Sequence, residues 1–190
     1  LKGEQAAFIA PVRALMQKVL SPGDLEGLTL SLSVGEEVDR GHLVRFLNKN
    51  GFTPVKVVEE RGDFSIRGAI VDIYAPSYDE PLRLEFDGDR LESIRRFETE
   101  SQRSLAQSLM GQAILLPARD IAGEDSHPHS STLFDYFKGK RTIFVVEGEE
   151  VEREMKTFSQ LIQEHYEKAL SKGESIPPPE SSYLRYEEAT

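Results

Sequence analysis

The run PLRLEFDGDRLES at 81–93 constrains the fold of this chain more strongly than any other segment. Its polar residues Arg83 and Glu85 alternate with apolar ones, which is the two-residue period of a half-buried β-strand. Asp87-Gly88 follows, a dipeptide typical of a two-residue hairpin turn. We therefore predict an antiparallel hairpin whose apolar face lies in a core and carries Leu82, Leu84 and Phe86.

The charges of this run predict its register. In a type I′ turn at Asp87-Gly88, Glu85 lies opposite Arg90 and Arg83 lies opposite Glu92. Each opposite-charge cross-strand pair contributes roughly 0.2–1 kcal/mol. A register slipped by one residue would place these charges on the apolar face, so the sequence favours the first pairing.

Patterns typical of a mixed helix and strand domain precede the hairpin. Residues 28–34 alternate as a half-buried strand does. Asp39 is a candidate N-cap for a helix that ends at Asn50-Gly51. Residues 64–74 form one long strand-like run, in which Gly68 indicates a bulge or a close backbone approach. With the hairpin, these elements predict an α+β domain built on a small antiparallel sheet.

The two ends of the chain show a different pattern. The short apolar runs at 6–10 and 142–146 are typical of buried strands. Residues 149–170 carry an apolar stripe at helical spacing and predict a long helix, and residues 183–186 predict a final strand. Such alternation of strands and helices favours an α/β fold with parallel packing.

The domain organisation follows from this change of pattern. We expect one α/β domain in two segments, at 1–27 and 118–190. The α+β domain at 28–117 would be inserted between them.

The charge and composition of the chain exclude several classes of function. Its 190 residues carry a net charge of −10, so most of the surface repels a phosphate backbone. The chain has no cysteine, which removes disulfide and thiolate chemistry and fits a reducing, cytoplasmic location. No apolar run approaches the roughly 18 residues of a membrane span. The first residues have no signal-peptide pattern and no initiator methionine, so we expect a fragment of a longer protein.

No group of residues predicts an enzyme. The phosphate-loop pattern GxxxxGK[ST] is absent, and no serine, histidine and aspartate can be grouped into a nucleophilic set. His127 and His129, beside Glu124 and Asp125, form at best a weak set of metal ligands, and a solvated loop is the favoured interpretation. The sequence thus predicts no catalytic residue, no metal and no cofactor in this chain.

Two arginines stand out because they lie within strand-like runs that no catalytic set surrounds. Arg67 precedes Gly68 in an otherwise apolar run, and Arg83 lies on the nearby hairpin strand. Guanidinium groups bind carboxylates through paired hydrogen bonds and are enriched at interface hot spots. This favours a surface that docks a partner. The alternative, arginines that serve only solubility and intramolecular packing, stays open on the pattern alone.

The segment 28–120 resembles a known family. It contains GDFSIRGAIVDIY at 62–74 and PLRLEFDGDRLESIRRFETESQRS at 81–104, with VDRGHLVRFLNKNGF before them and ILLPARD after them. These motifs resemble the UvrA-binding domain that UvrB shares with bacterial transcription-repair coupling factors. The SQRS ending and ILLPARD resemble the coupling factors more than UvrB. Weaker similarity extends toward both ends of the chain, in FIAPVRAL and STLFDYFKGKRTIFVVEG.

The resemblance implies a fold and a role. The ends would form part of a degenerate RecA-like α/β domain without working ATPase motifs, and the middle would be the inserted UvrA-binding domain. The parent would be an ATP-driven DNA translocase, with ATP and Mg in its motor domains and with RNA polymerase and DNA bound through other domains. This module would recruit UvrA to polymerase stalled at damage. A C-terminal domain of the parent would cover the same surface at rest.

The resemblance also implies binding residues. Arg67 and Arg83 match arginines of the family pattern, whereas Asp87 stands where the family has the second phenylalanine of a pair. We therefore expect UvrA to bind through Arg67, Arg83 and Asp87, with one apolar anchor lost. We expect Arg67→Ala and Arg83→Ala each to weaken this binding and to leave thermal stability nearly unchanged.

Two alternatives to recruitment remain. A UvrB-type ATPase that binds damaged DNA would need a phosphate loop and an aromatic-rich hairpin, and neither is present in the sequence. A purely structural domain would use the arginines for solubility and packing alone.

Overall fold

A computed structural model of the chain describes residues 7–119, 130–137, 139–140 and 142–189. The chain divides into two compact units, one formed by residues 1–24 and 127–190 and the other by residues 25–126. Both units contain helices and irregular segments, and the strands of the described residues lie in the unit at 25–126.

The helices and strands follow one another in this order: α1 (Val12–Met16), α2 (Pro22–Gly27), β1 (Leu30–Ser33), α3 (Arg40–Lys49), β2 (Thr53–Pro54), β3 (Asp63–Arg67), β4 (Ile70–Ile73), β5 (Leu82–Asp87), β6 (Arg90–Phe97), β7 (Ser104–Met110), β8 (Gln112–Leu115), a 3₁₀ turn (Leu133–Tyr136), α4 (Gly148–Ser171), a second 3₁₀ turn (Pro179–Ser181) and α5 (Tyr186–Ala189).

The unit at 25–126 is built on antiparallel strands. Its main sheet has six strands in the order β2-β3-β4-β5-β6-β7, and β2 pairs with β3 in the parallel sense while the other neighbours are antiparallel. A second, two-stranded sheet pairs β1 with β8. The small antiparallel sheet expected from the sequence is therefore present.

Helix α3 forms where its cap residues predict it. The side chain of Asp39 accepts a hydrogen bond from the backbone N–H of His42 at 3.0 Å, which satisfies one of the free donors of the first turn. The helix ends at Asn50, and Gly51 follows with φ of 80°, a conformation that favours glycine. The predicted helix from Asp39 to Asn50 is confirmed.

One apolar core joins α3 to both sheets of this unit. Leu43 and Leu47 of the helix are fully buried. Each such side chain contributes about 1.5–3 kcal/mol by leaving water. Phe86 also belongs to this core, as its alternation with polar neighbours predicts. The strand residues that share the core with them include Leu32, Phe64, Ile73, Leu84 and Leu115.

The predicted single strand at 64–74 is wrong. The segment is a hairpin of β3 and β4, in which Arg67 pairs with Ile70 across a two-residue turn. Gly68 begins that turn with φ of 60°, where a residue with a Cβ atom is strained. Its role is thus to reverse the chain rather than to form a bulge. Arg40 of α3 donates a hydrogen bond to the carbonyl oxygen of Gly68 and ties the turn to the helix.

The predicted register of the β5–β6 hairpin is also wrong. Asp87 pairs with Arg90, so the turn residues are Gly88 and Asp89, one position later than predicted. A bulge follows, and Arg83 lies opposite Arg95 instead of Glu92. The extra residue, Glu92, allows Leu91 and Ile94 both to face the core although they are three positions apart.

The other unit is dominated by α4, the long helix predicted at 149–170. Its Glu154 forms an ion pair with Arg13 of α1, and the Arg13 guanidinium lies 5.2 Å from the centroid of the Phe158 ring. The Phe158 ring in turn meets Tyr183 edge-on, at a centroid distance of 5.6 Å. Among the described residues no helix, α4 included, is long and apolar enough to cross a membrane.

The strands predicted in this unit are absent from its described residues. Residues 142–146 have no regular structure, and Phe144 is 86% exposed. In the run predicted at 6–10, the described residues 7–10 are irregular and Ile9 is fully exposed. At 183–186 the chain makes one isolated bridge, from Tyr183, and then enters α5. A strand needs a neighbouring backbone to satisfy its N–H and C=O groups, and the described part of this unit supplies none to the runs at 7–10 and 142–146.

Candidate partner-binding site

The face of the main sheet that points away from the core carries a cluster of polar side chains. Because successive residues of a strand point to opposite faces, the residues between the core positions of β3 to β6 share this second face. We call it the outer face, and its polar members on these strands are Ser65, Arg67, Asp72, Arg83, Glu85, Asp87, Ser93 and Arg95. Asp72 is fully buried there in spite of its charge.

Arg83 binds Asp72 through two hydrogen bonds. The two residues face each other across β4 and β5, and Arg83 donates from Nε to Oδ1 at 2.8 Å and from Nη2 to Oδ2 at 2.9 Å. The Arg83 side chain is 12% exposed and that of Asp72 is 1% exposed. This paired geometry is the strongest arrangement between a guanidinium and a carboxylate.

Arg67 binds the same carboxylate from the other side. Its Nη2 donates to Oδ2 of Asp72 at 2.5 Å, and its side chain remains 45% exposed. Asp72 thus accepts three charge-assisted hydrogen bonds from two arginines. One of these guanidinium groups is enclosed, and the other reaches the surface.

Further contacts enclose the Arg83 guanidinium. It lies 4.6 Å from the centroid of the buried Phe97 ring, a cation–π contact, and its Nη1 donates to the carbonyl oxygen of Gln102 at 3.1 Å. Gln102 adopts φ of 58°, and its side-chain Nε2 donates to the carbonyl oxygens of Thr99 at 2.7 Å and Val58 at 3.2 Å. The loop that ends at Gln102 therefore covers the Arg83 guanidinium.

The electrostatics of this cluster keep Arg83 charged. The hydrogen bond to Asp72 raises the pKa of the Arg83 guanidinium, and the opposing effect of burial is smaller. The carboxylates of Asp72 and Glu85 add to the same direction through their charge. Arg83 is therefore a permanent cation throughout the physiological range of pH.

The third predicted residue, Asp87, lies at the end of β5 and is exposed. It follows Glu85 on the outer face, two positions along the strand. Among the contacts of the described residues Asp87 makes no ion pair. The structure thus brings Arg67 and Arg83 together on one carboxylate and places Asp87 at the margin of the same face.

Sequence reasoning missed the residue at the centre of the cluster. Asp72 is a lone carboxylate between Val71 and Ile73 in an apolar strand, and a buried charge requires a counter-charge. That rule alone would have paired it with a nearby arginine. Gln102 carried no comparable signal, because glutamine is uncommon in the left-handed conformation it adopts.

Other features do not coincide with this cluster. A groove of about 450 Å³ lies on the opposite side of β3 and β4 and is lined by Arg40, Gly41, Val44, Ile66, Val71 and Asp89. No three metal-binding side chains meet among the described residues. His127 and His129, the weak metal candidates, lie outside the described residues.

Comparison with known proteins agrees with the motifs. Residues 30–120 match the family model of the UvrB interaction domain. The chain is 41% identical over 115 residues to the transcription-repair-coupling factor of Myxococcus xanthus, a match that covers 60% of this chain and 9% of that protein. It is 34% identical over 119 residues to the transcription-repair-coupling factor of Escherichia coli strain K12, covering 62% of this chain and 10% of that protein. The chain thus matches about a tenth of the length of these relatives.

Proposed function

We propose that this chain is a recruitment module that binds UvrA through its outer face, because residues 30–120 match the family model of the UvrB interaction domain. The module has no catalytic role in this proposal. It belongs to a transcription-repair coupling factor and brings excision repair to stalled RNA polymerase.

The proposal rests on the exposure and the hydrogen bonding of Arg67. Its side chain is 45% exposed, yet its guanidinium is held by a buried carboxylate. An arginine that is both accessible and fixed loses little freedom on binding, which is the property of an interface hot spot. On a chain of net charge −10, such a cation also marks a distinct place for an acidic group of a partner.

The two other expected contact residues take different parts in this proposal. Arg83 has most of its donors committed to Asp72 and to Gln102, so its main role is to support the surface rather than to contact UvrA. Asp87 lies exposed beyond it on β5 and forms the margin of the contact. In this proposal Arg83 has the packing role and Arg67 makes the contact with UvrA.

The remainder of the chain is assigned from the family. We propose that residues 1–27 and 118–190 belong to a RecA-like α/β domain of the parent, to which other segments contribute the sheet. The parent would be a cytoplasmic DNA translocase with ATP and Mg in its motor domains. It would reach RNA polymerase and DNA through other domains and cover the outer face with its C-terminal domain at rest.

The test is a calorimetric titration of the 190-residue chain with the UvrA protein of the same genome. Arg67→Ala should weaken binding by about 2–5 kcal/mol, because an arginine contact is lost and its acceptor is left unpaired. Arg96→Ala is the matched control. Arg96 is 44% exposed and pairs with Glu80 at 3.4 Å. Its substitution therefore removes an equally accessible, paired arginine that lies outside the outer-face cluster.

Two results would decide against the proposal. Equal UvrA affinity of the wild-type chain and Arg67→Ala would remove Arg67 from the interface. Hydrolysis of ATP, or tight binding of damaged DNA by the chain alone, would favour the UvrB-type enzyme instead. Circular dichroism of each variant shows whether it is folded before affinities are compared.

A further inference from the structure

We propose that Asp72 is a positioning residue of the UvrA-binding surface, which touches no partner and fixes the guanidinium of Arg67 in its binding orientation. This inference rests on the proposed function and deepens it. The Asp72 side chain is 1% exposed, so its effect on a partner must pass through the side chains that it holds.

The register of the sheet explains how one carboxylate reaches two arginines. Asp72 faces Arg83 directly on β5 and Ser65 on β3. Arg67 is two residues beyond Ser65 on the same face, so it approaches Asp72 along the diagonal of the β3–β4 pair. This diagonal contact determines which way the long Arg67 side chain points.

The charges of the cluster leave one positive charge for a partner. Arg67, Arg83 and Asp72 sum to +1, and the neighbouring ion pair of Glu85 and Arg95 adds no net charge. Both oxygens of Asp72 are already occupied by three donors. Among the described contacts of Arg67, only Nη2 has a hydrogen-bond partner. The remaining donors of Arg67 therefore present the unmatched charge to solvent, where a carboxylate of the partner would bind them.

Arg83 makes this arrangement rigid. Since its guanidinium occupies Oδ1 and shares Oδ2, Asp72 cannot rotate to follow the motion of Arg67. The orientation of Arg67 is thus set before the partner arrives, which lowers the entropy lost in association. A purely structural Asp72 would stabilise the domain without affecting how Arg67 binds.

A double-mutant cycle on UvrA affinity separates these two roles. Asp72→Asn should weaken binding by about tenfold in the wild-type chain and leave the affinity of the Arg67→Ala chain unchanged, because it acts through Arg67. Glu80→Gln, which removes the carboxylate partner of the control Arg96, should leave UvrA affinity unaltered. An equal loss from Asp72→Asn in both backgrounds would overturn the inference.

A second measurement needs no variant and therefore does not depend on whether Asp72→Asn folds. The ¹⁵N–{¹H} nuclear Overhauser effect of the arginine Nε–Hε groups reports motion on the picosecond to nanosecond timescale. We expect a rigid Arg67 and a mobile Arg96, although the two side chains are 45% and 44% exposed. Equal mobility would overturn the positioning role. By contrast, a rigid Arg67 whose removal does not affect UvrA binding would contradict the proposed function, while the hold of Asp72 on Arg67 would stand.

Discussion

Arg83 of β5 and Asp72 of β4 lie opposite each other and share two hydrogen bonds, of 2.8 and 2.9 Å, within an enclosed part of the outer face. The pair stabilises the sheet and also forms part of the candidate binding site. Its removal therefore has consequences for stability that the sequence did not predict.

Asp72→Asn should lower the free energy of unfolding by about 3–5 kcal/mol, because the enclosed Arg83 loses its counter-charge. Urea denaturation followed by circular dichroism measures this change. Glu80→Gln removes a carboxylate that is 41% exposed and should cost at most about 1 kcal/mol. Equal midpoints for the two variants would contradict the structural role of Asp72.

Arg83→Ala and Arg67→Ala should differ in stability, contrary to the expectation from sequence that neither matters. Arg83→Ala leaves a buried carboxylate with one partner and should cost about 3–5 kcal/mol. Arg67→Ala should cost less, about 1 kcal/mol, because the Arg67 side chain is 45% exposed and Asp72 keeps both hydrogen bonds from the enclosed Arg83. Thermal unfolding of both variants is the measurement, and a destabilisation by Arg67→Ala as large as that by Arg83→Ala would refute the distinction.

Gln102→Ala should be destabilising and Gln102→Gly less so. Both variants lose the hydrogen bonds to Thr99 and Val58, which should cost about 1–3 kcal/mol. Glycine adopts φ of 58° without strain, whereas alanine retains a penalty of about 1–2 kcal/mol. Denaturant midpoints test the order, and alanine more stable than glycine would show that the left-handed conformation is not maintained.

Asp39→Asn should make the stability of the chain less sensitive to acid. The hydrogen bond from the backbone N–H of His42 lowers the pKa of the Asp39 carboxyl in the folded chain. Its contribution is thus fully present above the unfolded pKa of about 3.9 and is lost as pH falls through the lower folded value. Asparagine keeps an acceptor for the cap but does not titrate.

Melting temperatures from about pH 6 to about pH 2 should therefore converge for the wild-type chain and Asp39→Asn at the acid end, because Asp39 alone loses its cap charge there. A constant difference across that range would show that the ionisation of Asp39 does not contribute to folding.

Local chemistry predicted part of this fold well. Asp39 begins α3 and the apolar positions of β5 lie in the core, because both follow from hydrogen bonding or periodicity within a few residues. The long helix α4 follows in the same way from the apolar stripe along its 24 residues. Interactions between neighbours in sequence are sufficient to determine these elements.

The remaining features depend on contacts between distant segments. The predicted β5–β6 register depends on charge pairs, whose energy is a fraction of the energy gained by burying Leu91 and Ile94. The observed register, with a bulge at Glu92, buries both of these side chains. The run at 142–146 has the composition of a strand but no partner within the described residues. The candidate site was half predicted, since both arginines were identified while the carboxylate that joins them was not.

The enclosure of Arg83 by Phe97 and Gln102 has a consequence inside the cell. A protein whose unfolded fraction rises is removed by quality control, so substitutions at Arg83 or Asp72 would deplete the protein itself. A substitution at Arg67 would leave its abundance nearly intact and, under the proposed function, affect recruitment alone. In a genetic screen that reads both protein level and repair, Arg67 should be the position where the two readouts separate.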